Sequence, residues 1–383
     1  MPTRIYLDHN ATTPLDPEVM EEMAACLQGA PGNPSSIHSF GQDARRVIVK
    51  ARLRVARLIG AQPEEIIFTS GGTEADNLAV LGTAAAAKRD RPHVVTTAIE
   101  HQAVLNPCRH IERSGGSVTF LGVDREGLVD PADAAAALRD DTVLASIMLA
   151  NNDVGAIQPV AAISPAVRER SILFHTDAVQ AVGKLPVDVR SLGVDLLSFS
   201  GHKLQGPQGA GALFVRNGVA LSPRSFGGHQ ERGLRPGTEN VAAIAGFGKA
   251  CELAAKRLEE DAARLAALRS SFEKAILDRI PGTAINAGGA PRLPNTANIA
   301  FEGLEGEFLA FNLDLLGVAV STAAACSSAD REPSHVLIAM GRTPEQASSS
   351  IRVSFGRGNT YEDVSRAVDL VAQAVEGMRG GPR

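Results

Sequence analysis

Leu196-Leu197-Ser198-Phe199-Ser200-Gly201-His202-Lys203 is a short β-prone run, apolar apart from two serines, that halts on a glycine and delivers a lysine. A strand of this length with no polar face is one covered on both sides. The same unit recurs upstream, where apolar β-branched runs alternate with helical stretches from Ile66 to Val215. Candidate strands are Ile66–Thr69, Val94–Thr97, Val118–Leu121, Val143–Met148, Ile172–His175, Leu196–Ser200 and Ala212–Val215. Strands separated by helix-length connections are the mark of βαβ units. The expected fold is therefore α/β, a mostly parallel sheet covered by helices on both faces.

Beyond that region the pattern changes. Asn240 to Ile280 reads as helix almost without interruption, and its charged stretch Lys256-Arg257-Leu258-Glu259-Glu260-Asp261 suits a solvated link between domains. A Gly/Pro-rich stretch from Pro281 to Pro294 follows, then a strand at Ala297–Phe301, a helix near Gly306–Leu316, a strand at Ile351–Phe355 and a closing helix from Tyr361. These elements predict a smaller α+β domain. The expected division is a large domain over residues 15–255 and a small one from 1–14 and 256–383.

At 383 residues the chain exceeds one ordinary domain, and 44% hydrophobic with 21% charged residues is the balance of a globular protein. The net charge of -5 comes from 43 acidic and 38 basic residues without a long basic block, which argues against nucleic acid as a partner. No apolar run approaches the ~18 residues needed to span a bilayer, and the start lacks an export signal, so no membrane partner is expected and the chain reads as cytoplasmic. Cys26, Cys108, Cys251 and Cys326 are far apart, with no metal-ligand spacing. Cys26 and Cys251 stand where small buried hydrophobes are expected.

Three stretches carry chemistry. Lys203 follows a buried strand and is flanked by Ser200, His202 and the glycine-rich turn Gly206-Pro207-Gln208-Gly209-Ala210-Gly211. A desolvated amine beside hydroxyl and imidazole donors suits a Schiff base to a phosphate-bearing cofactor, and a surface turn lysine is the plain alternative. In Phe68-Thr69-Ser70-Gly71-Gly72-Thr73-Glu74 a strand ends in a glycine turn where a helix begins, so free N–H groups and the helix dipole can cradle a phosphate. An N-cap formed by Thr73 would serve the same sequence. Third, Asp177 lies at the end of Ile172–His175, where a carboxylate can pair with a protonated pyridine nitrogen or simply cap a helix. Lys203, Thr73, Asp177 and Asn152 all follow predicted strands and should meet on one sheet edge.

These motifs, with Tyr6-Leu7-Asp8-His9-Asn10-Ala11-Thr12-Thr13 at one end and Ile351-Arg352-Val353-Ser354-Phe355-Gly356-Arg357 at the other, make the chain similar to the NifS/IscS-type cysteine desulfurases. These belong to the class V aminotransferase group of fold-type I pyridoxal-phosphate enzymes. The resemblance implies pyridoxal 5'-phosphate as cofactor, with Lys203 as its Schiff-base lysine. It further implies Gly72, Thr73, Ser200 and His202 at the phosphate, Asp177 on the pyridine nitrogen, and Gln180 and Asn152 orienting the cofactor oxygen and the substrate. His101 resembles the histidine that stacks over the ring and moves protons; read alone it would be a capping or core histidine. Arg352 resembles the arginine that clamps the substrate carboxylate. Thr238 resembles a residue that reaches the phosphate of a neighbouring subunit, which implies a homodimer.

Cys326, in Ser321-Thr322-Ala323-Ala324-Ala325-Cys326-Ser327-Ser328, stands where the family has its sulfur-accepting cysteine. The implied reaction converts L-cysteine to alanine with a persulfide on Cys326, for delivery to a sulfur-accepting protein such as an iron–sulfur scaffold. Cys326 would touch a metal only transiently, through that persulfide. Two departures stand out: Ala323-Ala324 replace the family's usual Gly-Ser, and the chain ends at Gly380-Gly381-Pro382-Arg383 without the longer docking tail. A selenocysteine lyase or a class V aminotransferase would share every site residue except Cys326. A non-catalytic sulfur carrier would not need the set Lys203, Asp177, His202 and Arg352.

Overall fold

The structure, a computed structural model, describes residues 4–29, 31–322 and 332–380. Its main sheet has seven strands in the order Ile66–Thr69, Gly211–Val215, Leu196–Ser200, Leu173–Asp177, Thr142–Ser146, His93–Thr97, Ser117–Leu121. Gly211–Val215 runs against both its neighbours, and every other pair is parallel. The sheet is mostly parallel, as its apolar strands predict. Residues of each strand alternate between two cores. Ile67, Leu196 and Leu213 pack with Ala75, Leu78 and Ala79 of the helix Gly72–Ala86, while Ile66, Phe68, Leu197 and Phe199 face Ile48, Val55 and Phe247 on the other side.

Several strand ends differ from expectation by one or two residues, and two of these differences matter at the site. Thr142–Ser146 stops before Met148 because the Met148 amide donates to Glu100 Oε1 at 2.8 Å instead of to a neighbouring strand. Leu173–Asp177 continues two residues beyond His175, so Asp177 is the last residue of a buried strand.

The helix Val241–Arg279 starts on Asn240, whose side chain accepts from the Ala243 amide at 3.1 Å. Ala243, Ile244, Phe247 and Cys251 of its first half enter the sheet core. Leu265, Leu268, Phe272 and Ile276 of its second half enter a separate core, with the strands Thr296–Phe301 and Ser350–Ser354 and the helix Tyr361–Gly380. The charged stretch between the halves is tied by Arg257 to Asp16 and by Asp261 to Arg357. Around the second core an antiparallel sheet runs in the order Ser321–Thr322, Ser350–Ser354, Thr296–Phe301, Thr283–Ile285.

Periodicity did not reveal the strand Ile5–Tyr6, which pairs in parallel with Val318–Ala319 and carries Leu7 into the second core. Of the cysteines, Cys108 and Cys251 are buried, whereas Cys26 is only half-buried, against expectation. It sits on the last turn of Pro17–Gln28, a helix that buries Val19 and leaves Leu27 exposed.

Candidate active site

Because the strands that precede Thr73, His101, Asn152, Asp177 and Lys203 all point the same way, these residues emerge on one edge of the sheet. The N-terminal segment runs across that edge and ties it together. Lys203 ends the tight turn Gly201–Lys203, and its Nζ donates to the carbonyls of Asn10 at 2.5 Å and Ala11 at 2.7 Å. The Asn10 carbonyl also accepts from Gln180 Nε2 at 2.9 Å. The Asn10 side chain donates to the Asn152 carbonyl at 3.1 Å and to Thr296 Oγ1 at 2.8 Å, and its Oδ1 accepts from Asn295 at 3.0 Å. One buried asparagine thus joins the lysine, Gln180 and Asn152 to the second core.

His202 lies beside this segment, its Nδ1 3.1 Å from Thr12 Oγ1 and its carbonyl accepting from Thr13 Oγ1 at 2.8 Å. Burial, with Lys203 and Lys184 nearby, lowers its imidazole to about 4, so the ring is neutral at physiological pH. Ser200, buried at the strand end, faces the glycine turn: a Cβ on Gly71 would come 3.6 Å from its Oγ. The helix Gly72–Ala86 has no side-chain cap; Thr73 lies inside its first turn, so its leading amides are available to an anion. A Cβ on Gly72 would meet Val179 at 2.6 Å, so glycine alone lets this turn pack against the segment after Asp177.

Asp177 is buried, and its Oδ1 accepts from the Val179 amide at 2.8 Å. Burial raises its carboxyl, and His101 and Lys203 partly oppose that rise. A protonated ring nitrogen would supply the positive charge that burial makes valuable. Behind it, Glu100 is pushed up to about 8, first by burial, and Asp76 is raised well above the carboxylate range by burial and by Asp177. His175 lies 3.6 Å from Asp76, yet burial lowers the ring to about 3, so the ring is neutral and the contact is not an ion pair. Serine hydroxyls hold that ring, Ser146 at 2.8 Å and Ser198 at 3.0 Å.

His101 meets the expectation of a capping histidine. Its Nδ1 accepts from the Ala103 amide at 3.1 Å and caps the helix Gln102–Arg113, which leaves the ring proton of the neutral form on Nε2. Burial lowers it, and the charges of Asp177 and Lys203 act on it from the site. Arg352 comes from the strand Ser350–Ser354; it donates to Asp8 Oδ1 at 2.8 Å and to the Asn152 carbonyl at 3.2 Å, and its Nη1 is 3.6 Å from Asp153. Its Nε is buried without a hydrogen-bond partner.

Of the predicted site residues, Thr238 is exposed on the loop before Val241, and no hydrogen bond among the described residues joins it to this cluster. Cys326 lies outside the described residues. The flanks of its segment are anchored at the site: Ser321 pairs with Arg352, Ser334 Oγ donates to Asp153 at 2.9 Å, and His335 Nε2 is 2.9 Å from the Glu100 carbonyl. Sequence reasoning missed Asn10, Asp8, Lys184 and Glu100 as members of the site. Among the described residues no group of acidic, histidine or cysteine side chains could hold a metal ion, and no helix is long and apolar enough to cross a membrane.

The residues present fit pyridoxal phosphate: an uncapped glycine turn with serine and neutral histidine donors, a buried carboxylate and a lysine lie on one edge. Residues 5–367 match the aminotransferase class-V family. The chain is 48% identical to a protein named cysteine desulfurase IscS from Dictyoglomus turgidum over 379 residues, covering 99% of this chain and 96% of that protein. Among solved structures it is similar to a NifS-like protein, with a TM-score of 0.92 and 38% identity over 98% of this chain and 100% of that one. It is also similar to a structure described as SspA in complex with cysteine, with a TM-score of 0.83 and 35% identity over 92% of this chain and 99% of that one. The chain belongs to the class-V aminotransferase family.

Proposed function

We propose that the chain is a pyridoxal-phosphate-dependent cysteine desulfurase that converts L-cysteine to alanine and carries the sulfur as a persulfide on Cys326. The observation that carries this reading is the linkage of Lys203, Gln180, Asn152 and Arg352 through Asn10 on the sheet edge that also bears Asp177. The similarity to proteins named cysteine desulfurase and to a structure holding cysteine supports the substrate.

Gly72, Thr73, Ser200 and His202 would hold the cofactor phosphate, Asp177 its ring nitrogen, and Gln180 with Asn152 its oxygen side. Bound there, pyridoxal phosphate supplies an electron sink for the charge released at the substrate α-carbon. Arg352 orients the substrate carboxylate with a planar pair of donors. Lys203 Nζ takes the α-proton, a role suited to an amine that exchanges its backbone acceptors for the reacting centre. The Cys326 thiolate forms a sulfur–sulfur bond with the substrate as its carbon–sulfur bond breaks. His101 Nε2–H gives and retrieves the protons on the way to alanine.

An acceptor protein, such as an iron–sulfur scaffold, then takes the sulfane sulfur. We place the working form in the cytoplasm as a homodimer, with Thr238 serving the neighbouring subunit, and divide the chain at 15–255 against 1–14 with 256–383. The test is stoichiometry: purified protein given L-cysteine and a thiol should yield alanine and sulfide in equal amounts. Dependence on a keto acid, or activity confined to selenocysteine, would sink the reading.

A further inference from the structure

Lys184 is buried, 7% exposed, and has no part in the chemistry above. An unpaired buried ammonium is among the most costly groups a fold can hold. The chain turns it inward deliberately. Lys184 follows Gly183, whose φ of +78° and whose position, 2.4 Å from Leu204 for any added Cβ, exclude side chains. Its Nζ donates to Gln180 Oε1 at 2.7 Å and to the Gln180 carbonyl at 3.2 Å.

These contacts fix the Gln180 amide chemically. An ammonium can only donate and the Asn10 carbonyl can only accept, so Oε1 must face Lys184 and Nε2 must face Asn10. One Nε2 hydrogen is then left for a second acceptor. The same Asn10 carbonyl receives Lys203 Nζ, so two hydrogen-bonded residues, Gln180 and Asn10, separate Lys184 from the lysine of the site.

We propose that Lys184 is a positioning residue for Gln180 and Lys203, turning the donor edge of the Gln180 amide toward the cofactor oxygen and setting a second cation beside Lys203. This rests on the pyridoxal-phosphate reading of the site. The groups facing Lys184 are mainly basic: Lys203 and His202 from the turn after Ser200, Arg352 from its strand, and His9 from the N-terminal segment. Asp8 is engaged by Arg352, and Asp177 interacts electrostatically with His101 and Lys203. Burial and the cations Lys203 and Arg352 lower Lys184 to about 7, and the repulsion between the two lysines acts equally on Lys203. A neighbouring cation is a recognised way to keep a lysine neutral and nucleophilic.

The test is a pH titration of the visible absorption band of the cofactor-loaded protein, with wild type, Lys184→Met, Lys184→Gln and Lys184→Arg. Methionine removes both charge and donor. Both losses favour the protonated cofactor–lysine unit, so its midpoint should move up by about half a pH unit or more, a roughly threefold change in the protonated ratio at fixed pH. Glutamine keeps a donor for Oε1 and should give a smaller upward shift, while arginine keeps the charge and should restore the wild-type midpoint. If methionine does not fold, the glutamine–arginine pair carries the test. An unmoved midpoint in both neutral variants, or an equal shift in arginine, overturns the proposal. A wild type that loads no cofactor on Lys203 overturns the site reading, and the proposal with it.

Discussion

Arg352 and Asp8 are joined guanidinium to carboxylate, Nη2 to Oδ1 at 2.8 Å, across 344 residues of sequence. Arg352 therefore meets an anion before any substrate arrives, while its Nε remains buried without a partner. Asp8 is the more exposed member, its side chain 19% accessible against 5%, so it is the one an incoming carboxylate can displace or join. Arg352→Lys keeps the charge but loses the planar fork. Charge-assisted hydrogen bonds are worth about 1.5–3 kcal/mol, so binding of L-cysteine should weaken roughly tenfold to hundredfold, with cofactor affinity little changed. Titration of both ligands checks this; equal losses would remove Arg352 from the substrate site.

Lys203→Ala removes donations to the carbonyls of Asn10 and Ala11 and no part of either hydrophobic core, so the protein should still fold. Turnover should vanish, and any retained pyridoxal phosphate should be non-covalent. Borohydride reduction followed by intact mass measurement tells the two states apart. A reduced variant that still carries cofactor mass would refute Lys203 as the attachment point.

Glu100 predicts a pH dependence of stability. Its carboxyl stands near 8 in the folded state against an ordinary 4.5, so between those values the folded chain keeps a proton that the unfolded chain has lost. Stability from this group is full below the lower value and is lost as pH rises through the upper one. Glu100→Gln cannot ionise, and it keeps an acceptor for Thr97 Oγ1 and the Met148 amide. The variant should therefore gain on wild type as pH rises from about 5 to about 8, read as a widening difference in melting temperature. A constant difference would mean that Glu100 is ionised throughout.

The sheet was legible because buried parallel strands are written as apolar runs: Ile66–Thr69 and Leu196–Ser200 have the bounds expected of them. Lys203 and Asp177 were legible for the same reason, each lying on or just past such a strand. Asn10 and Asp8 were not, since their roles arise from contacts 142 to 344 residues away, and no local pattern marks them. Lys184, after a glycine, reads in sequence as an ordinary turn lysine; only the packing of Gly183 on Leu204 turns it inward. Thr238 and Cys326 came from family resemblance alone, and the fold neither joins the first to the site nor describes the second.

Cys326 decides between a desulfurase and other enzymes that could use the same cofactor site. The competing thiols are poor nucleophiles: burial pushes Cys108 up to about 12 and raises Cys251 and Cys26 as well, and the thiolate is the reactive form. Cys326→Ser should therefore keep cofactor absorbance and L-cysteine binding, which need Lys203, Asp177 and Arg352, but should stop the release of alanine and sulfide. Wild-type protein exposed to L-cysteine should gain the mass of one sulfur atom per persulfide, mapped to Cys326 and removed by dithiothreitol, as expected of a sulfane sulfur on a reactive thiol. The anchoring of Ser321 beside Arg352 and of His335 on the Glu100 carbonyl holds both flanks of the segment at the substrate end. Sulfur mapped to Cys108 or Cys26, or wild-type turnover in Cys326→Ser, would replace the desulfurase reading with a lyase that releases its product directly.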